Sequence, residues 1–191
     1  MSRPVNSLRR ILVVLLLIIV VLSVVFVRRS ALPSVGEDIS LEPGDILFVD
    51  LYQGWCQSGY WDHMALYVGE RPYAGVVEAT YNAGVCYTAL PAFWQRDEPA
   101  DISVRRLRED LENRDEIIEK AIAYALTEVG RAFDFTATAT VPLKLNEQNV
   151  HCAEVVWRAY QAAGMDLDGD DGPFLYPDDI YYCRQLEAVW T

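Results

Sequence analysis

The stretch Asn149-Val150-His151-Cys152-Ala153-Glu154-Val155-Val156 places a cysteine directly before a helical pattern. Apolar residues then recur on one helix face and a glycine follows them, namely Ala153, Val156, Trp157, Tyr160 and Gly164. With Asn149 as the N-cap, Cys152 lies in the first helical turn, where unpaired backbone N–H groups and the helix dipole favour a thiolate. A lowered thiol pKa is what a cysteine nucleophile requires. Cys152 is therefore a candidate nucleophile, and a small buried thiol in the core is the alternative.

The residues before this helix change from a strand pattern to a helical pattern. Five β-like runs are separated by turns that contain Gly, Pro or Asn: 46–49, 64–68, 76–80, 85–90 and 102–107. Asn113 and Glu116 then have the spacing of a capping box, and apolar residues at helical spacing continue up to Gly130. Strands first and helices later predict an α+β domain, in which an antiparallel sheet of four to six strands packs against helices.

Two histidines limit the choice of a base for this cysteine. His63 begins the second β-like run, and His151 directly precedes Cys152. Any mechanism that depends on histidine must therefore use one of these two side chains.

Six pieces of the sequence together resemble the YiiX-like, circularly permuted branch of the NlpC-type papain-like hydrolases, which is related to lecithin:retinol acyltransferase. They occur in the permuted order, histidine before cysteine, and extend over nearly everything from Gly44 to Asp179. The pieces are Gly44-Asp45-Ile46-Leu47-Phe48, Asp62-His63-Met64-Ala65-Leu66-Tyr67-Val68, Val77-Glu78-Ala79, Gly130-Arg131-Ala132-Phe133-Asp134, His151-Cys152-Ala153-Glu154-Val155-Val156 and Tyr176-Pro177-Asp178-Asp179-Ile180.

The resemblance implies a papain-like fold in which His63 deprotonates Cys152 and a polar residue on the next strand orients the imidazole. By position that residue is Glu78. A carboxylate that accepts the second ring N–H fixes the tautomer and stabilises the imidazolium. Asp62 and Glu70 compete for the role, but a sequence neighbour on a strand points to the opposite face. The alternative interpretation of Glu78 is an exposed strand carboxylate.

His151 departs from the family pattern, because this position is commonly aromatic in such proteins. Its imidazole is either on the surface or a second acid or base. Adjacent residues diverge around a helix, so we expect the surface position.

An apolar run at residues 11–27 predicts a membrane anchor. It has 17 residues, Ser23 is its only polar member, and a pair of arginines flanks each end. At about 1.5 Å per residue a helix of this length spans roughly 25 Å, close to a bilayer core. A cleaved signal peptide is the alternative, but no small-x-small cleavage site follows. The predicted organisation is an anchor at 1–29, a linker at 30–42 and a papain-like hydrolase domain at 43–191.

The distribution of charged residues along the chain indicates its orientation in the membrane and the partners that it disfavours. Slightly more basic residues precede the apolar run than directly follow it. By the positive-inside rule, this difference places the C-terminal domain outside the cytoplasm. All 28 acidic residues follow Arg29, whereas five of the 16 basic residues lie at or before it. So negative a domain argues against nucleic acid and anionic lipid head groups as partners. We expect a single-pass membrane protein with an extracytoplasmic catalytic domain.

Two patterns resemble metal sites but fit them poorly. Two thiols and two imidazoles are available for zinc, but adjacent His-Cys is poor chelate spacing and no Cys-x-x-Cys occurs; the four are Cys56, His63, His151 and Cys152. The acidic stretch 166–172 begins like a calcium loop, yet its sixth position is Asp171 instead of glycine and the twelfth is Pro177 instead of glutamate. We predict no metal and no cofactor.

The remaining cysteines and a group of aromatic residues have no single interpretation. Four cysteines, Cys152 with Cys56, Cys86 and Cys183, are too few for a disulfide framework, and a nucleophilic Cys152 must remain a free thiol. The aromatic residues before His63 line either a substrate groove or the core. They are Tyr52, Trp55, Tyr60 and Trp61.

The leading hypothesis is a membrane-anchored cysteine hydrolase that cleaves amide bonds through an acyl-enzyme at Cys152, as a cell-envelope peptide amidase or endopeptidase. Lipid acyl hydrolysis or transfer is the alternative, because the anchor and the acyltransferase resemblance permit an acyl-lipid substrate. A non-catalytic binding domain is the third hypothesis, and the intact Cys152, His63 and Glu78 count against it.

Overall fold

The five predicted strands all form, because their β-branched and apolar residues fit a buried pleated sheet. Each lies within two residues of its predicted bounds. They are β1 (Ile46–Asp50), β2 (His63–Glu70), β3 (Ala74–Thr80), β4 (Gly84–Ala89) and β5 (Asp101–Leu107). A sixth strand, β6 (Leu186–Trp190), was not predicted individually, because its pairing with β5 joins residues far apart in the chain.

The computed structural model describes residues 39–51, 59–70, 72–95, 101–135, 144, 148–170 and 172–190. They belong to the unit Ile39–Thr191, and Met1–Asp38 form a separate unit. The predicted anchor at 1–29 therefore lies outside the described residues, as does the predicted linker up to residue 38. Within the described part of the chain, no helix is both long and apolar enough to cross a membrane.

The six strands form one antiparallel sheet in the order β4-β3-β2-β1-β5-β6. This confirms the predicted antiparallel sheet and its strand number. β2 lies between β1 and β3, and its residues 63–69 are all buried. A central strand of this kind is covered on both faces, so a histidine at its start is removed from bulk water.

The described helices that have defined bounds are α1 (Leu90–Gln95), α2 (Arg114–Thr127), α3 (Cys152–Ala162) and α4 (Pro177–Tyr181). The two longer ones, α2 and α3, were predicted from their apolar spacing. α3 packs against α2 and against strands β2 and β3. Gly164 follows α3 with a φ of 88°, a left-handed conformation that ends helices and favours glycine. The short helices α1 and α4 carry too few residues for a periodic signal.

The predicted capping box of α2 is only partly correct. Asn113 is the N-cap, but its backbone is left-handed (φ 56°, ψ 25°) and its side chain makes no cap hydrogen bond. A capping box requires an extended N-cap backbone, from which the side chain reaches the first turn.

A buried ion pair fixes the start of the domain. Asp45 is fully buried, and Arg106 Nε and Nη2 donate to its two carboxylate oxygens at 2.6 and 2.8 Å. Burial outweighs these bonds and raises the pKa of Asp45 above its ordinary value. Beside it, the Tyr160 hydroxyl of α3 donates to the Gly44 carbonyl oxygen at 2.5 Å. These contacts connect β1, β5 and α3.

We expect Arg106→Leu to lower the free energy of unfolding by about 3 kcal/mol, because it leaves the Asp45 carboxyl buried without its partner. Chemical denaturation measures this loss. Arg108→Leu is the matched control, because the Arg108 ion pair with Asp110 is exposed and contributes little. Equal stabilities of the two variants would contradict the prediction.

Candidate active site

Cys152 is the first residue of α3, and its side chain is buried. The predicted helix start is therefore confirmed, but the predicted N-cap is wrong. His151, and not Asn149, is the N-cap, with an extended backbone (φ −100°, ψ 179°). The thiol accordingly lies at the first helical position, where the helix dipole favours negative charge.

His151 is fully buried, which corrects the expectation of a surface imidazole. Its Nδ1 accepts a hydrogen bond from Ala153 N at 3.3 Å, and its own backbone N donates to Glu154 Oε2 at 3.1 Å. This reciprocal arrangement is a capping box. The expectation failed because an N-cap residue is not yet helical, so its side chain folds back over the first turn.

His63 and Glu78 meet as predicted. His63 is the first residue of β2, and its Nε2 lies 2.7 Å from Oε2 of Glu78, which is fully buried in β3. The two competing carboxylates lie elsewhere: Asp62 accepts a hydrogen bond from Leu51 N at 3.2 Å, and Glu70 is exposed at the other end of β2. Since Glu78 occupies Nε2, Nδ1 is the ring nitrogen available to Cys152.

Two residues behind this pair were not predicted. The Thr88 hydroxyl of β4 donates to Oε1 of Glu78, so each carboxylate oxygen has a donor. Thr88 pairs with Val76, two residues before Glu78, so the alternation of a strand puts both side chains on one face. Phe93 of α1 packs near His63, with ring centroids 6.3 Å apart. A prediction of the β3–β4 register would have found Thr88.

The environment shifts both ionisable groups towards a charged pair. Burial raises the pKa of the Cys152 thiol, but hydrogen bonds with His151 and His63 outweigh it and lower the pKa to about 6. Burial lowers the pKa of His63, but hydrogen bonds with Cys152 and Glu78 outweigh it and raise the pKa to about 9. Between these values the site holds a thiolate beside an imidazolium, which is the reactive form of a cysteine nucleophile with its acid.

The group of described residues that could hold a cation is Asp168, Asp170 and Asp179, whose carboxylate oxygens lie within 4.8 Å of one another. Lys144 forms an ion pair with Asp168. Oxygens of Asp170 and Asp179 accept backbone N–H groups at 2.8 and 2.7 Å. The ammonium group and these donors already compensate the carboxylates, so the group fits a cation poorly.

The other candidates from the sequence have separate outcomes. Three of them lie outside the described residues: Tyr52, Trp55 and Cys56. Because Cys56 is one of the four residues considered for zinc, that set lies only partly within the described residues. Trp61 is buried and packs against Phe48 and Tyr181, so it belongs to the core. The thiols of Cys86, Cys152 and Cys183 are free.

The domain matches a known family in sequence and a solved structure in fold. Residues 40–171 match the family described as permuted papain-like amidase enzyme, YaeF/YiiX, C92 family. Among curated proteins, none matches the sequence. The fold is similar to the crystal structure of the metalloprotein YiiX from Escherichia coli O157:H7, with a TM-score of 0.60 and 22% sequence identity. The alignment covers 77% of this chain and 95% of that chain.

We expect the rate of Cys152 alkylation by iodoacetamide to rise with a midpoint near pH 6, because the thiolate is the reacting form. His63→Ala should move this midpoint upward. The rate is measured by mass spectrometry of the Cys152 peptide, and Cys183, whose pKa burial raises, is the internal control. A Cys152 midpoint at the ordinary thiol value of about 8.5 would contradict the assignment.

Proposed function

The chain belongs to the permuted papain-like amidase family, and on that basis we propose that Cys152, His63 and Glu78 are its catalytic residues. The observation that carries the proposal is the buried 2.7 Å contact of His63 with Glu78, in a site where His63 also hydrogen-bonds the thiol at the start of α3. A nucleophile, a base and a group that orients the base are the parts that acyl transfer requires.

In the proposed reaction, His63 Nδ1 already holds the proton of the thiol, and the Cys152 thiolate attacks the amide carbonyl carbon. The Glu78 carboxylate accepts a hydrogen bond from Nε2–H and so stabilises the imidazolium. The Nδ1 proton then passes to the leaving amine as the C–N bond breaks, which leaves a thioester on Cys152. Nδ1 next takes a proton from water, whose oxygen attacks the thioester, and the acid leaves as the C–S bond breaks, which restores the thiolate beside the imidazolium.

The proposed substrates are amides of cell-envelope peptides. A domain anchored outside the cytoplasm would meet such peptides, and its acidic composition argues against nucleic acid and anionic lipid surfaces. Lys144 and backbone N–H groups already engage the described carboxylates that could hold a cation, so no step of the proposed reaction uses a metal.

The proposal places the hydrolase domain on a membrane by the apolar run at residues 11–27. Its 17 residues and flanking arginines support a single-pass anchor. Slightly more basic residues lie before the run than directly after it, and by the positive-inside rule the domain is then outside the cytoplasm.

We expect Cys152→Ala and His63→Ala each to abolish hydrolysis of an envelope-peptide amide. The double variant should be no worse than either, because nucleophile and base act as one unit. Glu78→Gln should retain more activity than these variants, since both reacting groups remain. Release of the amine measures the rate, and Glu70→Gln, a change in an exposed carboxylate of the same strand pair, is the control. Full activity in Cys152→Ala would refute the assignment, and cleavage of an acyl-lipid ester without cleavage of the peptide amide would favour a lipid-type hydrolase.

For the anchor, we expect the protein in the membrane fraction to retain its own N-terminus, because no cleavage site follows the apolar run. N-terminal sequencing of that fraction decides the matter. A mature chain that starts near Ser30 would show a cleaved signal instead.

A further inference from the structure

His151 is a buried ionisable side chain that the reaction above does not use. It is fully buried and directly precedes Cys152 at the start of α3. Charged or titratable groups lie around this helix start from several elements: Glu154 and Arg158 from α3, His63 from β2 and Glu78 behind His63 from β3. Its ring is therefore part of the same polar site as the thiol.

The N-cap contact determines where the imidazole proton lies. Nδ1 accepts the N–H of Ala153 at 3.3 Å, so this nitrogen presents a lone pair. In the neutral ring the proton is then on Nε2. With Nδ1 as the acceptor of the cap bond, Nε2–H is the donor that the ring offers.

This Nε2–H makes no hydrogen bond of good geometry with any described residue. The carboxylate oxygen Glu154 Oε2 is 3.7 Å away, too far for a hydrogen bond, and it already accepts the backbone N–H of His151. The other oxygen of Glu154 accepts from Arg158 Nη2 at 3.0 Å. A buried donor without an acceptor is destabilising, and such groups are uncommon without a functional reason.

We propose that His151 is a second catalytic imidazole, whose Nε2–H stabilises the negative charge on the Cys152 sulfur while His63 carries the proton. The sulfur that acquires negative charge in the reaction belongs to the next residue of the chain, at the first position of α3. A hydrogen bond with His151 is among the causes that lower the Cys152 pKa. The inference rests on the proposed function, since it gives the thiolate a second donor.

Two substitutions separate this role from helix capping. His151→Ser retains an N-cap acceptor for Ala153 N but removes the distal ring donor. His151→Gln places an amide N–H near the position of Nε2 but is a poorer cap. We expect the serine variant to unfold at nearly the parent denaturant concentration, with alkylation of Cys152 at pH 6 about tenfold slower. The glutamine variant should lose stability but keep an alkylation profile nearer to that of the parent.

The opposite pattern would overturn the inference: a parent-like alkylation profile in His151→Ser and a shifted one in His151→Gln would leave His151 with a capping role only. A parent protein that alkylates with a low midpoint but cleaves no amide would refute the proposed function. In that case a slower His151→Ser still supports the contact of His151 with the thiolate.

Discussion

The buried carboxylate of Glu78 is the constraint on which the centre of the domain depends. It is fully buried in β3, and a carboxylate in such a place is strongly destabilising unless donors and positive charge compensate it. His63 from β2 and Thr88 from β4 supply one donor to each oxygen. Three neighbouring strands must therefore hold a single register, and that register leaves only Nδ1 of His63 for the thiol.

A second buried carboxylate has a parallel role on the helix side. Glu154 accepts the backbone N–H of His151 and the guanidinium of Arg158, which fixes the first turn of α3 and with it the position of Cys152. The thiol thus lies between two imidazoles that are held in different ways. His63 is backed by the Glu78 carboxylate and carries a proton readily, whereas the cap bond from Ala153 occupies Nδ1 of His151 and leaves Nε2 as its donor. This difference suits one ring for proton transfer and the other for charge stabilisation.

The polar cluster around Asp45 stabilises the fold. Asp45, Arg106, Gly44 and Tyr160 join β1, β5 and α3, and Gly44 N also donates to Tyr67 O in the second half of β2. The contacts that stabilise the fold and the residues proposed for catalysis therefore lie towards opposite ends of β2. Changes at Asp45 should act through unfolding, and changes at Glu78 through the charge state of His63.

The sequence by itself determined the features that depend on local spacing. Strand alternation and helical periodicity placed β1 to β5, α2 and α3, and the resemblance together with that alternation selected Glu78 over Asp62 and Glu70. Only the tertiary structure decided which groups surround them. Thr88 reaches Glu78 through the pairing of β3 with β4, and β6 exists through its pairing with β5. His151 turned inward because its backbone is extended at the cap and its ring could bond Ala153. The physical reason is that periodicity is a property of neighbouring residues, whereas a buried charge is compensated by whichever donors the fold brings to it.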